Sequence, residues 1–234
     1  MMTPADQKQA DQKRAAALAA VSEIRDGMLV GLGTGSTVAF LIAALGARCA
    51  QGLTITAVAT SLRTEAAASA AGIDVVDFAP LDHVDLCIDG VDEIDLQFRA
   101  IKGGGGAMLR EKIIAASATR MIAIADASKA VAQLGTAPVP VEVLPFARGH
   151  VARAIAQLGG RPALRVDAAG APVSTDQGNV ILDCGFGLID QPTALADRLS
   201  NIAGIMGHGL FIDEIDALYW GTADGVVMTV RTLF

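Results

Sequence analysis

Aromatic residues are scarce in this chain, 4% of 234 positions, with a single Trp and a single Tyr. That leaves little to stack the bases of single-stranded nucleic acid. Charged residues are also few, at 18%, and their balance is acidic, with a formal net charge of −7. Binding an extended polyanion requires a basic face, and so does attachment to an anionic membrane; neither partner is expected. Only three cysteines occur, Cys49, Cys87 and Cys184. They are odd in number, far apart and form no CxxC pair, so they suggest neither a disulfide framework nor a zinc site. Each reads as a small buried apolar residue. No stretch reaches the ~18 uninterrupted apolar residues of a membrane span. The polar start MMTPADQKQADQKR lacks the apolar core of a signal peptide. A cytoplasmic protein is expected.

What is abundant is aliphatic residues and glycine. Hydrophobic residues make up 52% and glycine contributes 25 positions, the reverse of a disordered composition. The length suits one or two domains at ~150 residues each, with a core of Ala, Val, Ile and Leu. Residues 6–24 read as a helix. Strand, glycine-rich turn and helix follow over 28–45, then a strand at 53–59, a helix at 63–71 and strands at 73–78 and 84–89. A helix runs from the glycines at 103–106 to Ala118, followed by a strand at 121–125. Strands alternating with helices predict a parallel sheet covered on both faces. After Gly135 the order becomes strand 138–144, helix 148–158, strands 163–166 and 179–183, helix 192–199 and a strand at 204–211. This βαββαβ order is the ferredoxin-like signature. Prolines in 138–144 mark that strand as an edge. Two strands, 217–221 and 225–230, are expected to return to the first domain. The expected fold is a Rossmann-like parallel-sheet domain, 1–133 plus 212–234, with a smaller ferredoxin-like α+β domain at 134–211.

Three turns at strand ends carry chemistry. Gly31-Leu-Gly-Thr-Gly-Ser-Thr37 lies between a strand and a helix. Its glycines permit close backbone approach, and the helix N-terminus offers unpaired N–H groups and partial positive charge. Ser36 occupies the sixth position of the dinucleotide fingerprint, and no acid ends the next strand, so NAD binding is disfavoured. The Walker lysine is absent. A tight structural turn and a monophosphate cradle both remain, the cradle fitting best. Asp89-Gly-Val-Asp-Glu93 follows an apolar strand, on the side where open α/β sheets bind ligands. An Asx turn with an N-cap accounts for either aspartate singly, and a carboxylate pair used in chemistry accounts for both. No further ligand at metal spacing accompanies them.

Lys102-Gly-Gly-Gly-Gly106 opens into Met108-Leu-Arg-Glu111. A flexible linker is one reading. The other is an oxyanion site, because backbone N–H groups, a helix start and a lysine converge. Glu111 taken from its helix alone reads as a solvated carboxylate favoured by the dipole, and alternatively as a general base. Lys129, after the strand 121–125, could reach a phosphate or sit on the surface. For Lys13 and Arg14 the surface reading is favoured. His83, His150 and His208 have no recognisable partner motif.

GLGTGST (31–37), DGVDE (89–93), KGGGGAMLREK (102–112), IADASK (124–129), PVPVEVLPFAR (138–148), LGGRP (158–162) and GNVILD (178–183) follow one another in this order. Together they resemble type A ribose-5-phosphate isomerases, from about Lys13 to Val230. The resemblance implies interconversion of D-ribose 5-phosphate and D-ribulose 5-phosphate through an enediolate, in the non-oxidative pentose phosphate pathway, by a homodimer without metal or organic cofactor. It implies a substrate loop at Thr34, Gly35, Ser36 and Thr37, and binding segments at Asp89, Gly90, Val91 and Asp92 and at Lys102, Gly103, Gly104 and Gly105. It makes Glu111 the base and Lys129 a substrate lysine, with Lys102, Asp89 and Asp92 also catalytic. Val91 and Gly106 stand where the family often has Ala, and the stretch 211–220 is less family-like. A sugar-phosphate-sensing regulator is a second reading, but the 30 residues before the glycine loop are too few for a helix-turn-helix. A deaminase, lactonase or CoA transferase of related fold is a third.

Overall fold

The start of the chain shows how local residues set each element. In the computed structural model, which describes residues 3–232, Thr3 caps α1 (Pro4–Val21): its hydroxyl accepts from the Asp6 N–H, and Asp6 accepts in return from the Thr3 N–H. Positions 1–2 and 233–234, which the expected first domain includes, lie outside the described residues. The chain continues through β1 (Leu29–Leu32), α2 (Ser36–Ala50), β2 (Thr56–Ala59), α3 (Leu62–Ala70), β3 (Leu86–Gly90), β4 (Glu93–Ile94), β5 (Ala100–Ile101), α4 (Met108–Ala116) and β6 (Met121–Asp126). Next come β7 (Val139–Val143), α5 (Arg148–Gln157), β8 (Arg161–Leu164), β9 (Val180–Gly185), α6 (Pro192–Ser200), β10 (Ile205–His208), β11 (Leu210–Phe211), β12 (Ala217–Thr222) and β13 (Gly225–Val230).

The large sheet runs β13-β12-β6-β3-β1-β2, parallel throughout except for the β12–β13 pair. All six residues of β6 are buried, as expected of a strand with both sheet faces covered. Ala16, Ala17, Ala20 and Val21 of α1 pack with Leu41, Leu45 and Ala217 on one face. Cys87, Ile114, Ala123 and Phe211 pack on the other. Cys87 and Cys184 are buried as expected, whereas Cys49 is only half-buried. Among the described residues no helix is long and apolar enough to cross a membrane.

The second sheet, β10-β7-β9-β8, is antiparallel at every pairing, the strand order of the expected βαββαβ unit. Its details correct the sequence reading in one place. β7 carries Pro140 yet lies inside the sheet. The Pro140 carbonyl faces the β10 side, where it accepts from the Gly209 N–H at 2.7 Å, while β10 pairing stops at His208 opposite Val141. The missing proline N–H therefore falls just past the ladder, and no strand bond is lost.

Two other expectations change. Residues 73–78 form no strand; Val75 makes a single bridge with Ala57. Residues 204–211 divide at Gly209 into β10 and β11, which join different sheets. A Cβ at Gly209 would meet the Lys102 carbonyl at 2.1 Å, so only glycine lets the chain cross there. β11 then pairs with β5 in a third sheet, β11-β5-β4, which the sequence reading lacks.

From β1 the chain moves to β2 on one side, whereas β3 lies on the other. The sheet thus switches direction between β1 and β3, and a ligand crevice is expected beyond their C-terminal ends. The segments 33–37 and 91–95 leave the sheet at that point.

Candidate active site

Beyond those strand ends lies a pocket of about 280 Å³, lined by Thr34, Ser36, Thr37, Gly90, Val91, Asp92, Lys102, the glycines 103–105, Glu111 and Lys129, and also by Gly35, Lys13 and Arg63. It gathers every expected site residue except Asp89. Two helices begin at this pocket, α2 and α4, and neither has a side-chain cap. Their unpaired first-turn N–H groups make the rim electropositive.

The β1 loop is shaped around Asp89. A Cβ on Gly33 would stand 1.9 Å from Asp89 Oδ1, so the close approach requires glycine. The Thr34 and Gly90 N–H groups donate to that oxygen at 2.9 and 2.7 Å. Gly35 adopts φ +135°, which turns the chain into α2. The Thr34 hydroxyl faces inward, 2.8 Å from those of Thr60 and Ser61, and so braces the loop. Ser36 faces outward and accepts from Lys13 Nζ at 3.1 Å.

At the floor, Lys102 sits between two carboxylates, 2.8 Å from Asp89 Oδ2 and 3.3 Å from Glu111 Oε2. Its ammonium also donates to the Gly90 carbonyl and lies 5.2 Å from the Phe211 ring. Lys102, Asp89 and Glu111 are 2%, 0% and 2% exposed. Burial favours the neutral amine of Lys102, but the two carboxylates outweigh it and hold the ammonium above its ordinary range. Burial raises Glu111, which Lys102 opposes and Asp89 reinforces, leaving its carboxyl at about 8. Burial likewise raises Asp89, against the pull of Lys102 and two backbone donors.

Two expectations change here. Glu111 is not a solvated helix carboxylate, because β3 and the Lys102 segment cover the first turn of α4. Asp89 lies beneath Lys102 and does not line the pocket, so it is placed to hold the lysine and has no face open to a ligand.

The glycine run is ordered. Gly104 N–H donates to Asp92 Oδ2 at 2.8 Å, and Gly106 N–H to the Gly103 carbonyl at 2.9 Å. Gly103, at φ +98°, fits against the Met108 side chain, which a Cβ would meet at 2.7 Å. Glu93 turns away from the pocket and accepts from the Gly135 N–H at 2.7 Å. The Ser200 hydroxyl lies 3.0 Å from His208 Nε2, outside the pocket.

Lys13 and Arg63 are the residues the sequence reading missed. The surface reading of Lys13 fails because α1 packs against α2 and carries the lysine to the Ser36 loop. The order of the segments held no signal for either residue. Among the described residues no group of three or more His, Cys, Asp or Glu is placed to hold a metal ion.

This geometry suits proton abstraction from a small anionic substrate: two buried carboxyls with raised pKa, of which only Glu111 lines the pocket, one buried ammonium and an electropositive rim. Comparison with known proteins bears on which substrate. The model of the family described as Ribose 5-phosphate isomerase A (phosphoriboisomerase A) matches residues 56–225. Ribose-5-phosphate isomerase A of Sphingopyxis alaskensis is 53% identical over 94% of this chain and 96% of its own length. That of Methanosarcina acetivorans is 49% identical over 94% of each. A solved D-ribose-5-phosphate isomerase in complex with phospho-erythronic acid is similar at a TM-score of 0.92 and 35% identity, over 95% of this chain and 99% of that one. The structure from Methanocaldococcus jannaschii gives 0.90 and 38%, over 94% and 98%.

Proposed function

The chain belongs to the ribose 5-phosphate isomerase A family and is an isomerase that interconverts ribose 5-phosphate and ribulose 5-phosphate; from that premise we propose that the pocket at the β1–β3 switch point is its active site and that the reaction passes through an enediolate. The observation that carries this reading is the buried Lys102 between Asp89 and Glu111, with the Glu111 carboxyl at about 8. A base poised near neutral pH both takes and returns a proton efficiently.

In the open-chain aldose, Glu111 removes the C2 proton. The electron pair forms the C1–C2 double bond, and charge moves onto O1. Lys102 and the backbone donors of the glycine run stabilise that oxygen. Glu111 then returns its proton to C1, and the carbonyl re-forms at C2. Asp92 holds the sugar hydroxyls, moves the hydroxyl proton and assists opening of the ring. Asp89 keeps Lys102 charged and in place. Gly35, Ser36 and Thr37, with Lys13 and Lys129, hold the phosphate at the start of α2, Thr34 braces that loop from within, and Gly90, Val91, Gly103, Gly104 and Gly105 form the walls. A phosphate bound away from the reacting carbons contributes binding energy that orients them.

The domain division belongs to the same proposal: 1–133 with 212–234, and 134–211, the latter supported by a separate core around Val141, Val151, Leu182 and Leu199. So do a cytoplasmic location, where phosphorylated sugars are retained by their charge, and a homodimer, supported by exposed Val227, Met228 and Val230 on the edge strand β13. Light scattering of the purified protein tests the dimer; a monomer mass overturns it. Ribose 5-phosphate turnover in D₂O followed by NMR tests the enediolate. Deuterium entering at the transferred position supports the proton route, and complete retention of hydrogen together with loss of the Glu111 dependence overturns it.

A further inference from the structure

The glycine run is held from behind by the second sheet. Arg165, just past β8, directs Nη1 at the carbonyls of both Gly103 and Gly104, at 3.1 Å each. Its Nε donates to Asp183 Oδ2 at 2.9 Å, and its other terminal nitrogen donates to Asp183 Oδ1. The guanidinium is therefore a fork: one edge is fixed by a carboxylate on β9, the other clamps two consecutive carbonyls.

The consequence follows from peptide geometry. In a trans peptide the C=O and the following N–H point in opposite directions. Holding the Gly103 carbonyl toward Arg165 therefore aims the Gly104 N–H the other way, where it meets Asp92 at 2.8 Å. Holding the Gly104 carbonyl in the same way turns the Gly105 N–H away from Arg165, at a residue that lines the pocket. No protein acceptor takes that N–H among the described residues. A segment of four glycines has little torsional preference of its own, so the clamp supplies the order the sequence withholds.

We propose that Arg165, oriented by Asp183, is a positioning residue for the isomerisation: it sets the planes of the Gly103–Gly104 and Gly104–Gly105 peptides, and through them the orientation of Asp92 and a backbone donor for the developing oxyanion. The inference rests on the site assignment above. It couples the second sheet to catalysis although no side chain of that sheet lines the pocket.

The test is steady-state kinetics on Arg165→Lys, Arg165→Ala and Asp183→Asn, with Glu111→Gln alongside. Arg165→Lys keeps the charge and loses the fork. It is expected to lower kcat roughly 10- to 100-fold, the scale of a misplaced catalytic constellation. KM for ribose 5-phosphate is expected to stay within about threefold of wild type, because the phosphate grip lies on other elements. Asp183→Asn is expected to fall between Arg165→Lys and wild type. Millimolar guanidinium is expected to restore part of kcat to Arg165→Ala and none to Glu111→Gln. Arg165→Lys turning over within about twofold of wild type overturns the proposal, as does a loss in Arg165→Ala that appears as KM alone. If Arg165→Ala does not fold, Arg165→Lys decides by the same criteria. Normal turnover by Glu111→Gln would instead sink the assignment of the base, whatever the Arg165 variants do.

Discussion

Lys102 Nζ and Asp89 Oδ2 are 2.8 Å apart, and neither side chain is more than 2% exposed. With Glu111 adjoining, the site floor holds one positive and two acidic groups away from water. Burying that set costs several kcal/mol per ion unless each charge is matched, and two carboxylates against one ammonium leave the match incomplete. The acid left over is Glu111, whose raised pKa suits it to take up a proton.

Replacing Glu111 with Gln keeps the shape and removes the proposed base. The variant is expected to fold and to bind ribose 5-phosphate, while turnover falls at least ~100-fold, within the usual span for a positioned base. Equilibrium binding alongside initial rates checks this.

The same carboxyl sets a pH profile. The proposed base is active when ionised, and burial has moved its pKa to about 8. In the free enzyme, kcat/KM is expected to fall about tenfold per pH unit below that value and to level off above it. A profile flat from pH 6 to 9 would contradict the assignment.

Lys102→Met strands Asp89 without its partner. Removing one member of a buried pair costs about 3–5 kcal/mol. The cost is expected to depend on pH in a defined direction. Asp89, already raised by burial, would be raised further without the lysine. The folded state then binds a proton that the unfolded state has released, and stability is lost as pH rises through that window. Denaturant titrations at pH 5 and pH 9 check this, with the smaller deficit at pH 5.

Gly33→Ala places a methyl group 1.9 Å from Asp89 Oδ1. The carboxylate must shift from the Thr34 N–H, and the variant is expected to lose about 1–3 kcal/mol of stability and most of its turnover. Gly149→Ala, where an added Cβ meets nothing within 4 Å, is the control. It lies in α5 and is expected to gain up to about 1 kcal/mol. Thermal and chemical unfolding of both variants check the contrast.

Lys13→Ala removes the ammonium 3.1 Å from Ser36 Oγ. A charged contact to phosphate contributes about 1.5–3 kcal/mol, so KM is expected to rise roughly 10-fold or more with kcat little changed. Rates across a substrate series separate the two terms.

The order of strands and helices was legible because β1, β3 and β6 are apolar runs closed by Gly or Asp, and the helices between them are alanine-rich. The turns were legible because glycine and aspartate mark strand ends, and the ordered set of them carried what no single turn did. Other features depended on three-dimensional neighbours. β4, β5 and β11 are two residues long, too short for periodicity to register, and exist because β4 and β11 each pair with β5. Pro140 reads as an edge marker until the register shows where its carbonyl points. Glu111 reads as solvated because a helix pattern does not reveal what covers its first turn. Lys13, Arg63 and Arg165 lie far in sequence from the loops they touch, and nothing local to them announces those contacts.

The placement of β12 has a consequence for how the protein is made. This strand pairs with β6, but the 90 positions from 127 to 216 separate them in the chain. At a synthesis rate of about 5–20 residues per second, roughly 5–20 s pass between emergence of the two strands. During that interval β6 has an open edge, and α1 lacks part of its packing surface. The antiparallel β7–β10 sheet emerges within the interval, complete in its own pairings. On the ribosome the inserted sheet can therefore close first, and the sheet that surrounds it in sequence closes last.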